Sequence, residues 1–368
     1  MQTIEVLETG LIYRNPKPHL QAVHAWHPSV DYFDDGQMVC SFDLGQAVSS
    51  DDYRSYFSRS TDNGRTWSPP VRILEDWVEG LTSHCIRISR MSDNSLVGLG
   101  SLNYRKPGLG NSNPKTFGRL PNDMFITRSK DRGQTWSPAE IIDMPLVGPA
   151  WELCHCIVEL QDGRWLAPMA NWKGWDGEAP NDFKAFALVS TDKGKTWPSH
   201  IDIINQWGRR VISFENSVVQ MHDGRLLAVA WALNNETGKS EPTPYVISTD
   251  GKTFSTPRLN GMRGQTTKLI VLKDGRILCV YRRDDQPGLW ANLAQIDGDD
   301  WINIEQTPVW QGAASGMSGQ GSNEQELGDL KLGFPNLTLL PDNLVYVAFW
   351  CFEDGIHNIR WYRLRING

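Results

Sequence analysis

Ser60-Thr61-Asp62-Asn63-Gly64-Arg65-Thr66-Trp67 is the stretch whose reading decides the fold, because it recurs. Ser129-Lys130-Asp131-Arg132-Gly133-Gln134-Thr135-Trp136 and Ser190-Thr191-Asp192-Lys193-Gly194-Lys195-Thr196-Trp197 share its skeleton, and Ser248-Thr249-Asp250-Gly251-Lys252-Thr253-Phe254 is a shortened copy. The four Asp residues lie 69, 61 and 58 positions apart. In each copy Asp can hydrogen-bond the backbone two residues on, Gly supplies a positive φ, and Trp buries an apolar face beside a strand. A turn copied at this period, without helical periodicity, means one supersecondary unit repeated round a ring or along a stack.

Between these turns lies a second repeat: strand, tight turn, strand. Its turns are Asp35-Gly36, Asp93-Asn94, Asp162-Gly163, Asp223-Gly224, Asp274-Gly275 and Asp342-Asn343. Each follows one apolar or alternating run and precedes another, which is a hairpin signal. Six hairpins, each extended by two further strands, predict six four-stranded antiparallel blades in a single all-β domain spanning residues 1–368. The first blade runs from about Ala25 to Ile73, and the fifth carries a degraded turn at Asp297-Gly298-Asp299-Asp300-Trp301. The sixth, ending with His357 to Ile366, is one strand short. Ile4 to Tyr13 can supply that strand and close the ring, removing exposed sheet edges. Two long stretches, Asn103 to Asn122 and Gln311 to Gly333 (with Glu324, Glu326 and Asp329), read as functional rim loops.

Bulk composition narrows the partners. The 368 residues carry a formal charge of −7 with charges scattered, which argues against nucleic acid. No run is long and apolar enough to cross a membrane, and no signal peptide is visible. The chain as given is expected in the cytoplasm, or in the periplasm or medium if a leader was removed. Its six cysteines, Cys40, Cys85, Cys154, Cys156, Cys279 and Cys351, show no zinc or disulfide spacing and read as buried thiols. The composition leaves the oligomeric state open.

In a ring of blades the first strand of each lines the axis. The residue eight positions before each turn pair then faces a shared pocket: His27, Cys85, Cys154, Glu215, Thr266 and Phe334. Beside them stand His24, Trp26, His84, Arg87, Trp151, Glu152, His155, Asn216, Gln265 and Asn336. A core alone would not choose so polar a set, since buried polar groups are costly unless paired. Glu152 and Glu215, from adjacent blades, are a candidate acid and base or nucleophile for glycoside hydrolysis. Asp43, Asp51 and Asp52 are further candidates for a rim acid.

The repeated S-x-D-x-G-x-T-W turn is the Asp-box, and with the six hairpins it makes the whole chain resemble the sialidase-like β-propellers. The resemblance implies a catalytic glutamate at Glu215 and an acid/base aspartate near Asp52. It also places Phe334 where the nucleophilic tyrosine belongs, and Trp26 and Trp231 in two slots of the carboxylate-binding arginines. The expectation is therefore an exo-acting glycoside hydrolase on an oligosaccharide or glycoside other than a standard sialoside, needing no cofactor. Its catalytic set is Glu215, Glu152 and Asp52. Its substrate contacts are His27, His84, Arg87, His155, Asn216, Gln265, Arg282, Trp26 and Trp231, with Arg283 also near. Two alternatives stay open. One is a lyase using His24, His27, His84 and His155 as bases or as ligands of a divalent metal. The other is a glycan-binding propeller whose Trp26, Trp151, Trp172, Trp175 and Trp231 stack on sugars.

Overall fold

The computed structural model describes residues 3–48, 50–153, 155–317, 326 and 328–368. These form six antiparallel sheets arranged as the blades of a propeller. From the axis outward, blade 1 is His24–Tyr32, Met38–Gly45, Arg54–Ser60 and Val71–Arg72. Blade 2 is Thr82–Arg90, Leu96–Tyr104, Asn122–Ser129 and Glu140–Ile141. In blade 3 the inner strand comes in two pieces, Ala150–Leu153 and Val158–Glu159, both pairing with Trp165–Trp172, followed by Ala185–Ser190 and Ser199–Ile204. Blade 4 is Val211–Gln220, Leu226–Asn234, Pro244–Ser248 and Arg258–Leu259. Blade 5 is Gly264–Val271, Ile277–Arg283, Leu289–Asp297 and Asp300–Trp310. Blade 6 is Leu332–Leu340, Leu344–Glu353 and Ile356–Ile366, with Ile4–Tyr13 as its outer strand. The N-terminal strand thus closes the ring.

The six inner hairpins turn as their sequences demand. Gly36, Asn94, Gly163, Gly224, Gly275 and Asn343 all take a positive φ, between 57° and 89°. The Asp-boxes sit at the far ends of the third strands. In the second box Asp131 accepts from the Thr135 amide (2.9 Å) and hydroxyl (2.6 Å), and the Gly133 amide donates to Ser129 Oγ (2.7 Å).

Each box is also a socket for the blade before it. Arg363 of blade 6 donates to the Asn63 carbonyl, Arg59 of blade 1 to Gly133, and Arg128 of blade 2 to Gly194. Arg164 of blade 3 donates to Gly251, Arg225 of blade 4 to Gly298, and Arg276 of blade 5 to Asn367. Six arginine clasps therefore run round the rim, one across every blade junction. Four clasps satisfy carbonyls that the tight box turn leaves without a strand partner, the fifth does so at the degraded turn, and the sixth holds the Asn367 carbonyl just past the last strand.

The core lies between blades rather than in one centre. Phe33, Phe57, Ile86 and Phe125 fill the junction of blades 1 and 2, and Trp151, Trp165, Met169 and Phe186 belong to that of blades 2 and 3. Tyr346, Trp350 and Trp361 meet Trp26 and Phe42 where blade 6 meets blade 1. No helix among the described residues is long and apolar enough to cross a membrane.

Candidate active site

At four of the six axial slots the inner strand breaks register and the slot residue takes a positive φ: His27 (51°), Glu215 (45°), Thr266 (48°) and Phe334 (51°). None is glycine, so each costs about 1–2 kcal/mol. The bulge turns the side chain toward the axis. Cys85 stays in register opposite Ser101, and Cys154, like Glu324 of the last rim loop, lies outside the described residues.

The slots open into a cavity of about 170 Å³. Its blade 4 side carries the carboxylates. Glu215 and Glu152 both line it, and the Glu215 amide donates to Glu152 Oε2 at 3.3 Å. Burial, reinforced by the Glu152 charge, pushes the Glu215 carboxyl up to about 7, against the pull of Arg282 and a hydrogen bond to Thr266. Arg282 Nε donates to Gln265 Oε1 (2.7 Å) and Nη1 to the Leu332 carbonyl (2.8 Å). Gln265 is held in turn by Ser240 Oγ at 2.7 Å. Nη2 is buried with no hydrogen-bond partner among the described residues. A Cβ at position 333 would stand 2.5 Å from Arg282 Nη1, so a side chain there would push the guanidinium out of this position.

The blade 1 side is built on Asp43, which is fully buried. It accepts from Arg87 Nη1 (2.9 Å), Ser55 Oγ (2.5 Å) and the Tyr53 hydroxyl (3.1 Å), and lies 3.4 Å from His27 Nδ1. Burial alone would raise this carboxyl, but Arg87, then His27 and Ser55, hold it below the ordinary value. Tyr53 also meets His27 Nδ1 at 2.5 Å. Phe334 lies near both sides, its ring centroid 5.0 Å from that of His27, 4.8 Å from that of His155 and 4.9 Å from the Arg87 guanidinium.

A strap formed by residues 105–121, within the first long rim loop, adds Arg105, Asn111 and Arg119 to the lining. It is docked on blade 3. The Arg119 amide donates to the Lys173 carbonyl (2.8 Å), Asn113 and Thr116 donate to the Trp175 carbonyl, and Trp172 Nε1 donates to the Phe117 carbonyl (2.9 Å). The Arg119 guanidinium lies 3.7 Å from the Trp172 ring centre, a cation–π contact. Gly118 is required here, since a Cβ would lie 1.8 Å from the Gly174 carbonyl.

Of the residues expected at the site, Glu215, Glu152, His27, Arg87 and Arg282 line the cavity, and so do the slot residues Cys85, Thr266 and Phe334 and their neighbour Trp151. The following do not, and each has a physical reason. Asp52 is exposed at the rim and accepts from the Gln46 amide (3.1 Å), so it serves as a turn carboxylate. Trp26 packs among His24, Tyr53 and His357, and Trp231 stacks on Phe214 at 4.5 Å; both are core. Asn216 is spent on the Met169 carbonyl (2.8 Å), tying blade 4 to blade 3. Gln265 acts behind Arg282.

The histidines scatter. His84 is wedged against Trp77 and Phe125, and His155 Nε2 pairs with the Thr267 carbonyl at 3.1 Å. His24 pairs with His357 at 2.9 Å between ring nitrogens. Among the described residues no three His, Cys, Asp or Glu come together as a metal site, so the expectation of histidine ligands finds no centre. Sequence reading missed Tyr53, Arg105 and Arg119. The length of the rim loop was the one signal pointing to the two arginines.

Comparison with known proteins agrees with this architecture. The sequence pattern of the BNR repeat-like domain family matches residues 111–306. No curated protein sequence matches the chain. A protein of unknown function from Dyadobacter fermentans superposes with a TM-score of 0.77 at 22% identity, covering 100% of both chains. A mutant of the NanB sialidase from Streptococcus pneumoniae gives 0.68 at 15% identity, over 97% of this chain and 70% of that one. The intramolecular trans-sialidase of Ruminococcus gnavus, solved with oseltamivir carboxylate, gives 0.67 at 13%, over 93% and 94%. With a family match over more than half its length, the chain belongs to the BNR repeat-like domain family, and its six blades share the fold of the sialidase propellers.

Proposed function

We propose that this protein hydrolyses a glycosidic bond in the axial cavity, with Glu215 as proton donor to the departing oxygen. The observation that carries this reading is the pair of carboxylates, Glu152 and Glu215, brought together on the cavity lining by adjacent blades. A carboxyl that keeps its proton near neutrality is what a general acid needs, and the Glu152 charge helps keep it there. Ionised Glu152 then stabilises positive charge developing on the sugar ring. The arginines favour a saccharide with an anionic group, held without the slots now filled by Trp26 and Trp231. Glu215→Gln is expected to abolish hydrolysis across a panel of aryl glycosides, including uronides, while the variant stays folded; unchanged turnover sinks the reading.

A second reading, β-elimination on a uronate, is favoured by His27 and Tyr53 sharing the cavity with Arg87 and Arg119. It would show as new unsaturated-uronate absorbance with no release of the aryl group from simple uronides.

A further inference from the structure

We propose that His27 is a catalytic base of this site, oriented by an Asp43–Tyr53–His27 relay. The proposal rests on the hydrolase reading and supplies the group that activates water in it. Asp43 is an acceptor only, because it is fully buried beside Arg87 and ionised. The Tyr53 oxygen lies 3.1 Å from Asp43 Oδ2, so its proton must point at the carboxylate; turned away, a phenol lone pair would face an anion. That hydroxyl then has only acceptor capacity left for His27 Nδ1 at 2.5 Å. Nδ1 therefore carries the hydrogen, and Nε2 carries the lone pair.

His27 keeps 23% of its side chain exposed, and what it faces is the cavity. Since Nδ1 turns inward to Tyr53, the open edge of the ring is the one bearing Nε2. The edge contacts with Phe334 and Trp350 of blade 6 hold the ring in this orientation. The charged and titratable groups facing His27 are Asp43, Arg87, Arg119 and Tyr53. Burial, with Arg87 and Arg119, lowers its proton affinity and Asp43 restores part of it, so the imidazole is neutral at pH 7 and able to accept a proton.

His27 stands on blade 1 and Glu215 on blade 4, which is opposite in a ring of six. A saccharide between them has the acid on one side and the base on the other. Nε2 takes a proton from water, the water oxygen bonds to the anomeric carbon, and the carbon–oxygen bond to the leaving group breaks. The departing oxygen takes the Glu215 proton. The imidazolium proton and the Glu215 carboxylate then exchange through solvent, leaving both groups as they began.

Two measurements test this. The first is a two-bond ¹⁵N–¹H correlation spectrum of the folded wild-type chain labelled in histidine, the His27 signal being assigned by its loss in His27→Asn (Asn tolerates the positive φ). The expected pattern is Nδ1–H with an unprotonated Nε2. An Nε2–H pattern in the wild type overturns the proposal. The second is turnover on the aryl glycoside that the wild type hydrolyses best. His27→Asn is expected to lose about 10²–10⁴-fold in kcat with KM little changed. Undiminished kcat in His27→Asn, with Glu215→Gln inactive, overturns the base while leaving the hydrolase reading in place. A wild type that hydrolyses nothing overturns both.

Discussion

If Glu215 holds its proton because it is buried beside Glu152, the protein must lose stability as that proton is removed, and Glu215→Gln must abolish the loss. The folded carboxyl titrates near 7, against an ordinary value of 4.5. Between those pH values the folded state binds a proton that the unfolded state has released, so stability falls as pH rises. At about 1.4 kcal/mol per pH unit, the interval amounts to about 3 kcal/mol, an upper figure because solvent in the cavity screens the charge. Any change in hydrogen bonding on going to Gln is common to all pH values and cancels in the comparison. Urea denaturation midpoints at pH 5 and pH 8 measure this directly. Wild type should lose about 2–3 kcal/mol more than Glu215→Gln over that range. Glu152→Gln should shrink the swing, because the neighbouring charge is the second cause of the raised value. Parallel curves for wild type and Glu215→Gln would refute the reasoning, and with it the assignment of Glu215 as a proton donor near neutrality.

The remaining expectations concern the frame of the site. His84 is almost fully buried with neither ring nitrogen hydrogen-bonded among the described residues, and burial lowers it to about 4. Its contribution is present above about 6.5 and lost as pH falls toward 4, so His84→Phe should flatten acid denaturation, by about 3 kcal/mol at most; an unchanged acid midpoint would count against it. Trp231→Arg restores the residue type of the resembling arginine slot, but it places a cation in a fully buried site where Arg282 already lies 5.1 Å from the ring centre. It should cost at least about 3 kcal/mol and lower Tm sharply rather than improve anion binding. Gly118→Val should undock the strap by driving a side chain into the Gly174 carbonyl. The expected signs are a changed Trp172 environment in fluorescence and proteolysis within residues 105–121, with the blades intact by circular dichroism; a strap still protected from protease would refute it.

Sequence alone determined the blades. Turn chemistry is local: Asp and Gly specify an Asp-box from seven or eight consecutive residues, and Asp-Gly or Asp-Asn specifies each inner hairpin. Their spacing then counts the blades, locates the axis and identifies Ile4–Tyr13 as the closing strand. The same ruler brought Glu152, Glu215, His27, Arg87, Cys85, Trp151, Thr266 and Phe334 to one cavity. It failed where a side chain's direction depends on partners far along the chain. Trp26, Trp231 and Asn216 stand beside axial slots yet turn into the junctions between blades, because aromatic neighbours and a carbonyl from another blade take them. Arg119 reaches the cavity only because residues 113–118 dock on blade 3. The positive φ at His27, Glu215, Thr266 and Phe334 carries no glycine to announce it. Tertiary structure alone decided which polar groups face the cavity and which proton each holds, since burial and the charge of a distant neighbour set both.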